Sequence, residues 1–320
     1  MKETYRPLLC KKINQPFTIK DQNINKSPKS RKISKPMISF QKIHTHNMKL
    51  LSNNRTQLNK AFPIVKQSSK FQGINFDQIH NHLLNKKSNN QCKTDPFAKQ
   101  TDINRIMRAT LFNWLLEVAT KLKLKKRTIH LCANIFDRYL LHSGIDKKTL
   151  QLLGITCFYI ASKFEDIYPP KAQDLCFLCN NIYSPSQVVE LEGRILSAIN
   201  FNLIFVSALD VAELYLAKTN ISDINVSNSI TAILDVFMVQ GTTSMIDSFK
   251  LAEFACTLVQ AKGNITESHK ASDINSAELQ KLKLCFKQMV INARKYCLSA
   301  LEKSFGTLNY ELLSFEQKAN

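Results

Sequence analysis

The sequence predicts an all-α protein, and three observations support that prediction. Apolar residues recur at every third or fourth position in one segment after another between residues 102 and 302, and no segment alternates in the manner of a strand. One segment, LQLLGITCFYIASKF at 150–164, is apolar almost all round, which is typical of a helix at the centre of its domain. Hydrophobic residues make up 44% of the chain, enough for a sizeable core.

Basic charge is concentrated in the first third of the chain. Residues 1–100 contain 20 Lys and Arg against 4 Asp and Glu, whereas the remainder contains 24 against 21. Residues 1–72 are rich in Lys, Asn, Gln and Ser without periodicity, and we predict a disordered basic N-terminal region there. Its densest cluster, KSPKSRKISK at 26–35, resembles a nuclear import signal. We therefore expect the protein in both nucleus and cytoplasm.

Order is predicted to begin near residue 74, with INFDQIHNHLL, and the first main helix follows Asp102 as its N-cap. Thr128 is predicted to cap the second helix, after KKR at 125–127 interrupts the pattern, and Asp146 to cap the third, apolar helix. A short fourth helix fits 171–178 after a pair of prolines.

Ser184 and Pro185 suit the N-cap and first position of a fifth helix, with Gln187 completing a capping box. Five helices around one apolar helix predict a domain over residues 73–205. Further helical patterns at 207–218, 226–239, 243–262 and 276–302 predict a second, divergent helical domain over 206–320.

The charged residues inside apolar helices fall into two groups. Asp137 lies in the apolar segment HLCANIFDRYL, and a buried carboxylate needs a partner, for which Arg108 is the natural candidate. Lys163, in ASKFEDIYPP, is left without such an internal partner. We expect function to depend on this second group.

Several function classes have no support in the sequence. No phosphate-binding G-x-x-x-x-G-K-S/T, no nucleophile motif G-x-S-x-G and no kinase H-R-D is present, so we predict neither an enzyme nor a cofactor. Cys176 and Cys179 form a C-x-x-C without a second ligand pair, and no metal is expected. Cys132, Cys157 and Cys256 are predicted to be small core residues. No apolar run reaches the roughly 18 residues that span a bilayer, so no membrane association is expected.

Four segments, taken together, resemble the cyclin box, most closely that of the mitotic A/B-type cyclins. They are MRATLFNWLLEV, TIHLCANIFDRYL, LQLLGITCFYIASKFEDIYPP and LEGRILSAINFNL, and the resemblance extends from Phe76 to Leu203. It implies the cyclin fold, two tandem five-helix domains each around a central helix. It also implies a regulatory subunit that forms a heterodimer with a cyclin-dependent serine/threonine protein kinase, activates it and controls cell-cycle progression at the mitotic (G2/M) transition.

The resemblance also assigns roles to residues. Arg108 and Asp137 match the internal ion pair of the family, in agreement with the argument from burial. Lys163 and Glu192 match the charged residues that hold the kinase next to its mobile αC helix. The apolar platform beside them matches Phe164, Leu196 and Phe201.

A second implied surface is a patch that docks R-x-L segments of substrates. The matching positions are Met107, Leu111, Trp114, Glu117, Leu150 and Gln151. The chain departs from the family at Thr110, usually apolar, and at Asn113, usually Asp. A hydroxyl inside an apolar groove would weaken leucine burial.

Two alternatives remain open. The first is a cyclin-fold transcription or nucleic-acid adaptor, and the second is a cyclin-like binding protein that does not activate a kinase. The positive charge lies in the N-terminal region and residues 102–199 show no basic stripe, so no direct nucleic-acid contact is expected. The presence of both Lys163 and Glu192 argues against the second alternative.

Overall fold

A computed structural model describes residues 75–87, 92, 94–219, 221–241, 245–260 and 276–305. Within these ranges all regular structure is helical, as the sequence predicts. The helices are α1 (Phe76–Lys87), α2 (Arg105–Lys121), α3 (Lys126–His142), α4 (Leu150–Glu165), α5 (Ala172–Leu178), α6 (Pro185–Ala198), α7 (Ala208–Lys218), α8 (Ile224–Gln240), α9 (Ser248–Gln260), α10 (Ser276–Lys295) and α11 (Ser299–Phe305). The predicted disordered region, residues 1–72, lies outside the described residues.

Helix α4 is the centre of the first half, which confirms the prediction for 150–164. It contacts α2, α3, α5 and α6, and most of its side chains are buried on every side. Its approach to α2 is close: a Cβ atom added to Gly154 would lie 2.7 Å from a methyl carbon of Leu111. Glycine at this position therefore lets the two helices pack tightly.

Helix α8 takes the same place in the second half, with α7, α9, α10 and α11 around it. Three phenylalanines from α8, α9 and α10 form an aromatic cluster, with the Phe237 and Phe286 ring centroids 5.8 Å apart and Phe254 edge-on to Phe237 at 5.7 Å. The expected single helix over 276–302 is wrong. The chain turns after Lys295 with a φ of 51° at Cys297, which a helix cannot continue through, and α11 begins at Ser299.

Three of the predicted helix starts are also wrong. Asn104, rather than Asp102, caps α2, because its side chain accepts a hydrogen bond from the Met107 backbone N–H at 3.0 Å. Thr128 lies inside α3, where its hydroxyl donates to Asp166 at 2.6 Å. Asp146 lies a turn before α4, which starts after Thr149. Each predicted cap lies within three residues of the observed one, and the spacing of polar residues in the sequence could not distinguish positions that close together.

The capping box predicted for α6 is confirmed. Ser184 accepts from the Gln187 N–H, and the Gln187 side chain accepts from the Ser184 N–H at 2.9 Å. A second box opens the second half, where Ser207 and Asp210 satisfy the first turn of α7 in the same reciprocal way.

The two halves share one hydrophobic core, since α2 packs on both α8 and α11, and α3 packs on α8. Polar contacts join them as well. The Asn113 side chain on α2 accepts hydrogen bonds from the backbone N–H groups of Ala300 at 3.1 Å and Leu301 at 3.3 Å. Asn113, which stands where the family usually has Asp, therefore still provides an acceptor for the first turn of α11.

The basic run 125–127, expected only to interrupt a helix, joins the halves. Arg127 donates to Glu165 at 2.7 Å, to Asp210 and to the Phe205 carbonyl at 3.2 Å. Its guanidinium therefore connects α3, the end of α4 and the start of α7.

Asp235 on α8 is a third polar link between the halves. It is fully buried and accepts from Lys126 at 2.9 Å and from His130 at 3.1 Å. Burial acts to raise the pKa of Asp235, but the His130 hydrogen bond and the Lys126 charge outweigh it, and the net pKa is lowered.

Candidate functional site

The structure brings Lys163 and Glu192 together. Lys163 lies in the last turn of α4 and Glu192 in the middle of α6, with 2.5 Å between the Lys163 Nζ and the Glu192 Oε1. The Lys163 ammonium also stands 4.1 Å from the centroid of the Tyr159 ring. The expectation that Lys163 lacks an internal partner is therefore wrong, because these two helices pack side by side and their charges pair.

The environment of this pair is asymmetric. The Glu192 side chain is only 12% exposed, whereas that of Lys163 is 39% exposed. A half-exposed pair contributes little to folding, about 0–1 kcal/mol. Both side chains are pre-positioned at the surface, and a bound partner would exclude water from them.

Apolar side chains lie close to the pair in the sequence. Phe164 follows Lys163 directly and Phe201 lies just beyond the end of α6; both are exposed, Phe201 to 67%. Leu196, one turn after Glu192, is half-buried against the core. Of the described residues, 13 large hydrophobics are exposed, and six of them lie within residues 164–204.

Sequence reasoning missed four of these six exposed apolar residues. Ile167 is 70% exposed, and Ile182, Val189 and Ile204 are exposed as well. Val189 could have been found from the sequence, because it is apolar but lies outside the buried stripe of α6. Ile167, Ile182 and Ile204 lie in connecting segments, where helical periodicity gives no indication of exposure.

The backbone that carries Phe201 is strained. Asn200 and Phe201 both have a φ of 53°, in the left-handed region that a bulky side chain rarely adopts. The Phe201 N–H donates to the Leu196 carbonyl at 2.8 Å, which holds this turn at the end of α6. A strain of roughly 1–3 kcal/mol is typical of functional positions, and here it places an aromatic ring in solvent.

Arg108 and Asp137 form a buried bidentate pair behind the site. Arg108 Nε and Nη2 lie 2.7 and 2.8 Å from the two carboxylate oxygens, and both side chains are almost completely excluded from solvent. The same guanidinium donates to the carbonyls of Met238 at 2.9 Å and Val239 at 3.1 Å, at the C-terminus of α8. Arg108 therefore joins the two halves, a role that local sequence does not reveal.

The residues of the predicted docking patch differ widely in burial. Leu111, Leu150 and Gln151 are buried, whereas Met107 and Trp114 are half-buried and pack on the core. The Glu117 carboxylate lies 3.0 Å from Lys121 and 3.7 Å from Lys303. The Thr110 hydroxyl donates to the Ile106 carbonyl at 2.9 Å, so its polarity is satisfied within α2. The use of this surface for R-x-L segments stays a prediction.

The cysteines of the C-x-x-C segment face the core. Cys176 and Cys179 are both buried free thiols, and burial raises the pKa of each. Cys132, Cys157 and Cys256 are likewise buried and free. In the part of the chain that the structure describes, no three His, Cys, Asp or Glu side chains converge in a way that could hold a metal ion. No helix among the described residues has the length and apolar character to cross a membrane.

A family model described as "Cyclin, N-terminal domain" matches residues 78–204. This range contains α2 to α6 and both charged pairs described above. This part of the chain matches the cyclin family. Members of this family are regulatory subunits and are not themselves enzymes.

Over the same part of the chain, the similar curated proteins include A-type and B-type cyclins. The G2/mitotic-specific cyclin-A of Hydra viridissima is 37% identical over 142 residues, which is 44% of this chain and 34% of that protein. Cyclin-A1-2 of Arabidopsis thaliana is 37% identical over 126 residues, 39% of this chain and 28% of the relative. Cyclin-B1-2 of Arabidopsis thaliana is 37% identical over 144 residues, 45% of this chain and 32% of the relative. The matches thus span about a third of these relatives.

Solved structures share the fold over most of the chain. A viral cyclin from herpesvirus saimiri superposes with a TM-score of 0.54 at 18% identity, covering 73% of this chain and 99% of the viral protein. A chain of the yeast RNA Pol II CTD kinase CTDK-1 complex gives a TM-score of 0.51 at 11% identity, covering 74% of this chain and 83% of that chain. Because they cover 73% and 74% of this chain, these likenesses extend beyond residue 204, and they show the cyclin fold.

Proposed function

We propose that this cyclin binds a cyclin-dependent serine/threonine protein kinase as a heterodimer and activates it. The observation that carries the proposal is the Lys163–Glu192 pair, held at the surface of α4 and α6 among exposed apolar side chains. The structural likeness to a chain of a yeast kinase complex is consistent with a kinase partner.

The physical basis of activation is differential binding. An active protein kinase needs the Lys of its β3 strand paired with a Glu of its αC helix. A protein that binds only the inward position of αC shifts the kinase population toward that state by its differential affinity. Moving a population from 1:99 to 99:1 takes a preference of roughly 10⁴-fold. The site supplies two elements for such a preference, an oriented pair of charges and an apolar surface.

The two elements have different tasks. Phe164, Leu196 and Phe201 provide apolar area, which stabilises a complex by about 25 cal/mol for each Å² removed from water. Lys163 and Glu192 provide directional hydrogen bonds whose strength rises once the apolar surround excludes water. A kinase segment that fails to satisfy both charges would leave them buried and unpaired, so the pair adds specificity.

The finer proposal is a role at the mitotic (G2/M) transition, supported by the similarity to A- and B-type cyclins, one of which is G2/mitotic-specific. We also propose that the protein resides in the nucleus and the cytoplasm, because of the basic cluster at 26–35. Imaging of the tagged full chain through the cell cycle tests both points. Constant levels and exclusion from the nucleus throughout the cycle would contradict them.

The kinase proposal is tested by affinity purification of the full chain from its native cell. A cyclin-dependent kinase should co-purify with the unmodified protein and phosphorylate histone-type substrates. The double variant Lys163→Ala with Glu192→Ala should lose the kinase, because removing buried charged hydrogen-bond partners from an interface costs about 2–5 kcal/mol or more.

A matched control lies elsewhere in the chain. Lys250 on α9 and Glu278 on α10 also pair, at 2.7 Å, but they lie in the second half. The two lysines are similarly exposed, at 37% and 39%, whereas Glu278 at 39% is more exposed than Glu192 at 12%. The variant Lys250→Ala with Glu278→Ala should retain the kinase. Equal kinase recovery by both double variants would refute the role of Lys163 and Glu192.

The nucleic-acid alternative makes the opposite prediction. Duplex DNA binding through the basic N-terminal region would fall steeply between 50 and 200 mM salt, whereas a largely apolar kinase interface would change little. Salt-resistant kinase recovery therefore supports the regulatory-subunit proposal.

A further inference from the structure

The outer side of α10 carries two large apolar side chains in solvent. Leu284 is 69% exposed and Ile291 is 48% exposed, and they lie seven positions apart, so they are on the same side of the helix. The opposite side of α10, which includes Phe286, Met289 and Val290, is buried in the core. Helix α10 therefore has one apolar side that the fold covers and a second, narrower apolar stripe that the described part of the chain leaves exposed.

Exposed basic residues border this stripe on both edges. They are Lys281 and Lys295 on one edge and Lys287 and Arg294 on the other. Glu278 is the one acidic residue of α10, and its carboxylate is paired with Lys250 of α9 at 2.7 Å. No carboxylate on the outer side of α10 therefore neutralises the basic residues, and the apolar stripe lies within a positive surface.

The spacing of the stripe is that of a seam between two packed helices. From Lys281 the exposed residues follow in steps of three and four, through Leu284, Gln288 and Ile291 to Lys295. This alternation keeps one line of side chains facing a neighbouring helix. Single exposed apolar residues are ordinary on a protein surface, but two of them on one seam with like charge at both edges fit a specific neighbour.

Three other kinds of neighbour fit this surface less well. A lipid surface needs a broad apolar side, and the broad apolar side of α10 is buried in the core. Nucleic-acid phosphates would contact the basic residues, but the Leu284 and Ile291 side chains would gain nothing from them. A second copy of this chain, packed through the same stripe, would place basic residues against basic residues, which is unfavourable.

We propose that the stripe of α10 docks an amphipathic helix of a partner protein, in which large apolar side chains recur along one seam and Asp or Glu residues flank them. The apolar side chains pack on Leu284 and Ile291, and the carboxylates meet the basic edges. Helix α10 packs on α8 and α11, whereas the Lys163–Glu192 pair lies on α4 and α6, so this surface is separate from the proposed kinase site. The inference does not depend on kinase binding.

The test uses the purified full chain and a synthetic helical peptide labelled with fluorescein. The peptide has about 21 residues, with Leu at the seam positions and Glu beside them. In an anisotropy titration the unmodified chain should bind it, and Leu284→Ala with Ile291→Ala should bind it about tenfold more weakly or worse. A matched peptide with Lys in place of Glu should not bind. The variant Lys281→Glu with Lys287→Glu should reverse this preference between the two peptides.

The chain offers a matched control for the apolar residues. Ile224 is 71% exposed and Met245 is 47% exposed, nearly the values of Leu284 and Ile291, but neither lies on α10. Ile224→Ala with Met245→Ala should bind the acidic peptide as the unmodified chain does. Because all four side chains are exposed, the melting temperature of each double variant should stay within roughly 2 °C of the unmodified chain.

Each contrary outcome overturns the proposal. Failure of the acidic peptide to bind the unmodified chain does so, as does an equal loss of binding by the two alanine double variants. Tighter binding to phosphatidylserine vesicles or to duplex DNA than to the peptide, weakened by Leu284→Ala with Ile291→Ala, would assign the stripe to a lipid surface or to nucleic acid instead. Kinase recovery by that variant should equal recovery by the unmodified chain, and its loss would place the stripe in the kinase interface. Absence of any kinase from the unmodified chain, together with peptide binding, would overturn the proposed function alone.

Discussion

Replacement of Arg108 should weaken the contact between the two halves of the protein and so lower its free energy of unfolding. The guanidinium makes four hydrogen bonds, two to the Asp137 carboxylate and two to the last carbonyls of α8. Its plane also stands 4.4 Å from the centroid of the Phe112 ring. Arg108→Met retains much of the apolar volume but removes every one of these polar contacts.

The magnitude follows from burial. Removing one partner of a buried ion pair costs about 3–5 kcal/mol, because the remaining charge stays without compensation. At about 2–4 °C for each kcal/mol in a protein of this size, the melting temperature should fall by roughly 6–20 °C. Asp137→Leu leaves the carbonyls of α8 with their donor, but the Arg108 guanidinium stays buried without its carboxylate partner. The loss of unfolding free energy should therefore fall in the same range.

A double-mutant cycle with urea unfolding checks the pairing. The double variant Arg108→Met with Asp137→Leu leaves no buried charge at the pair, and apolar replacement of a buried pair is often close to neutral. Its cost should therefore be well below the sum of the two single costs. Additive costs, or a loss below about 1 kcal/mol for Arg108→Met, would refute this account of the pair.

Three other variants test separate contacts. Asn113→Ala should destabilise the protein by about 1 kcal/mol, because α11 loses its capping acceptor. Asn113→Asp retains the acceptor and should lose much less stability. Thermal melts of the two variants measure this difference. The folded pKa of Asp235 lies below its unfolded value near 4, so its contribution to stability is complete above that pH and is lost as the pH falls through the folded pKa. Urea midpoints should therefore drop more steeply below about pH 4 in the unmodified chain than in Asp235→Asn, and parallel curves would contradict the lowered pKa. Thr110→Ile should tighten the binding of an R-x-L peptide measured by fluorescence anisotropy, and unchanged affinity would mean that this surface does not bind such peptides.

Helix existence was more predictable than helix boundaries. The apolar periodicity of 150–164 correctly indicated the central helix, and the Ser184–Gln187 box correctly marked the start of α6. Asp102 and Asn104 lie two positions apart and both residue types suit an N-cap, so the sequence alone does not show that Asn104 caps α2. The break between α10 and α11 also escaped prediction, because the apolar spacing continues across a turn that the backbone at Cys297 enforces.

The candidate site was predictable in part. The need of a buried carboxylate for a partner pointed to Arg108 and Asp137, and the cyclin-box resemblance pointed to Lys163 and Glu192. That the last two pair with each other depends on the packing of α4 against α6, which brings residues 29 positions apart in sequence to 2.5 Å.

The all-α class, most helices and one ion pair could be derived from the sequence alone. They follow from local periodicity, capping motifs and the chemistry of isolated charges, which are properties of short segments. Contacts between the halves are of another kind. The carbonyls of α8 that Arg108 holds lie about 130 positions further along the chain. Helix packing buries the side of α6 that carries Val188, Leu191 and Ile195 and leaves the other side exposed. Such features depend on which helix surfaces pack against each other, and short-range sequence patterns do not contain that information.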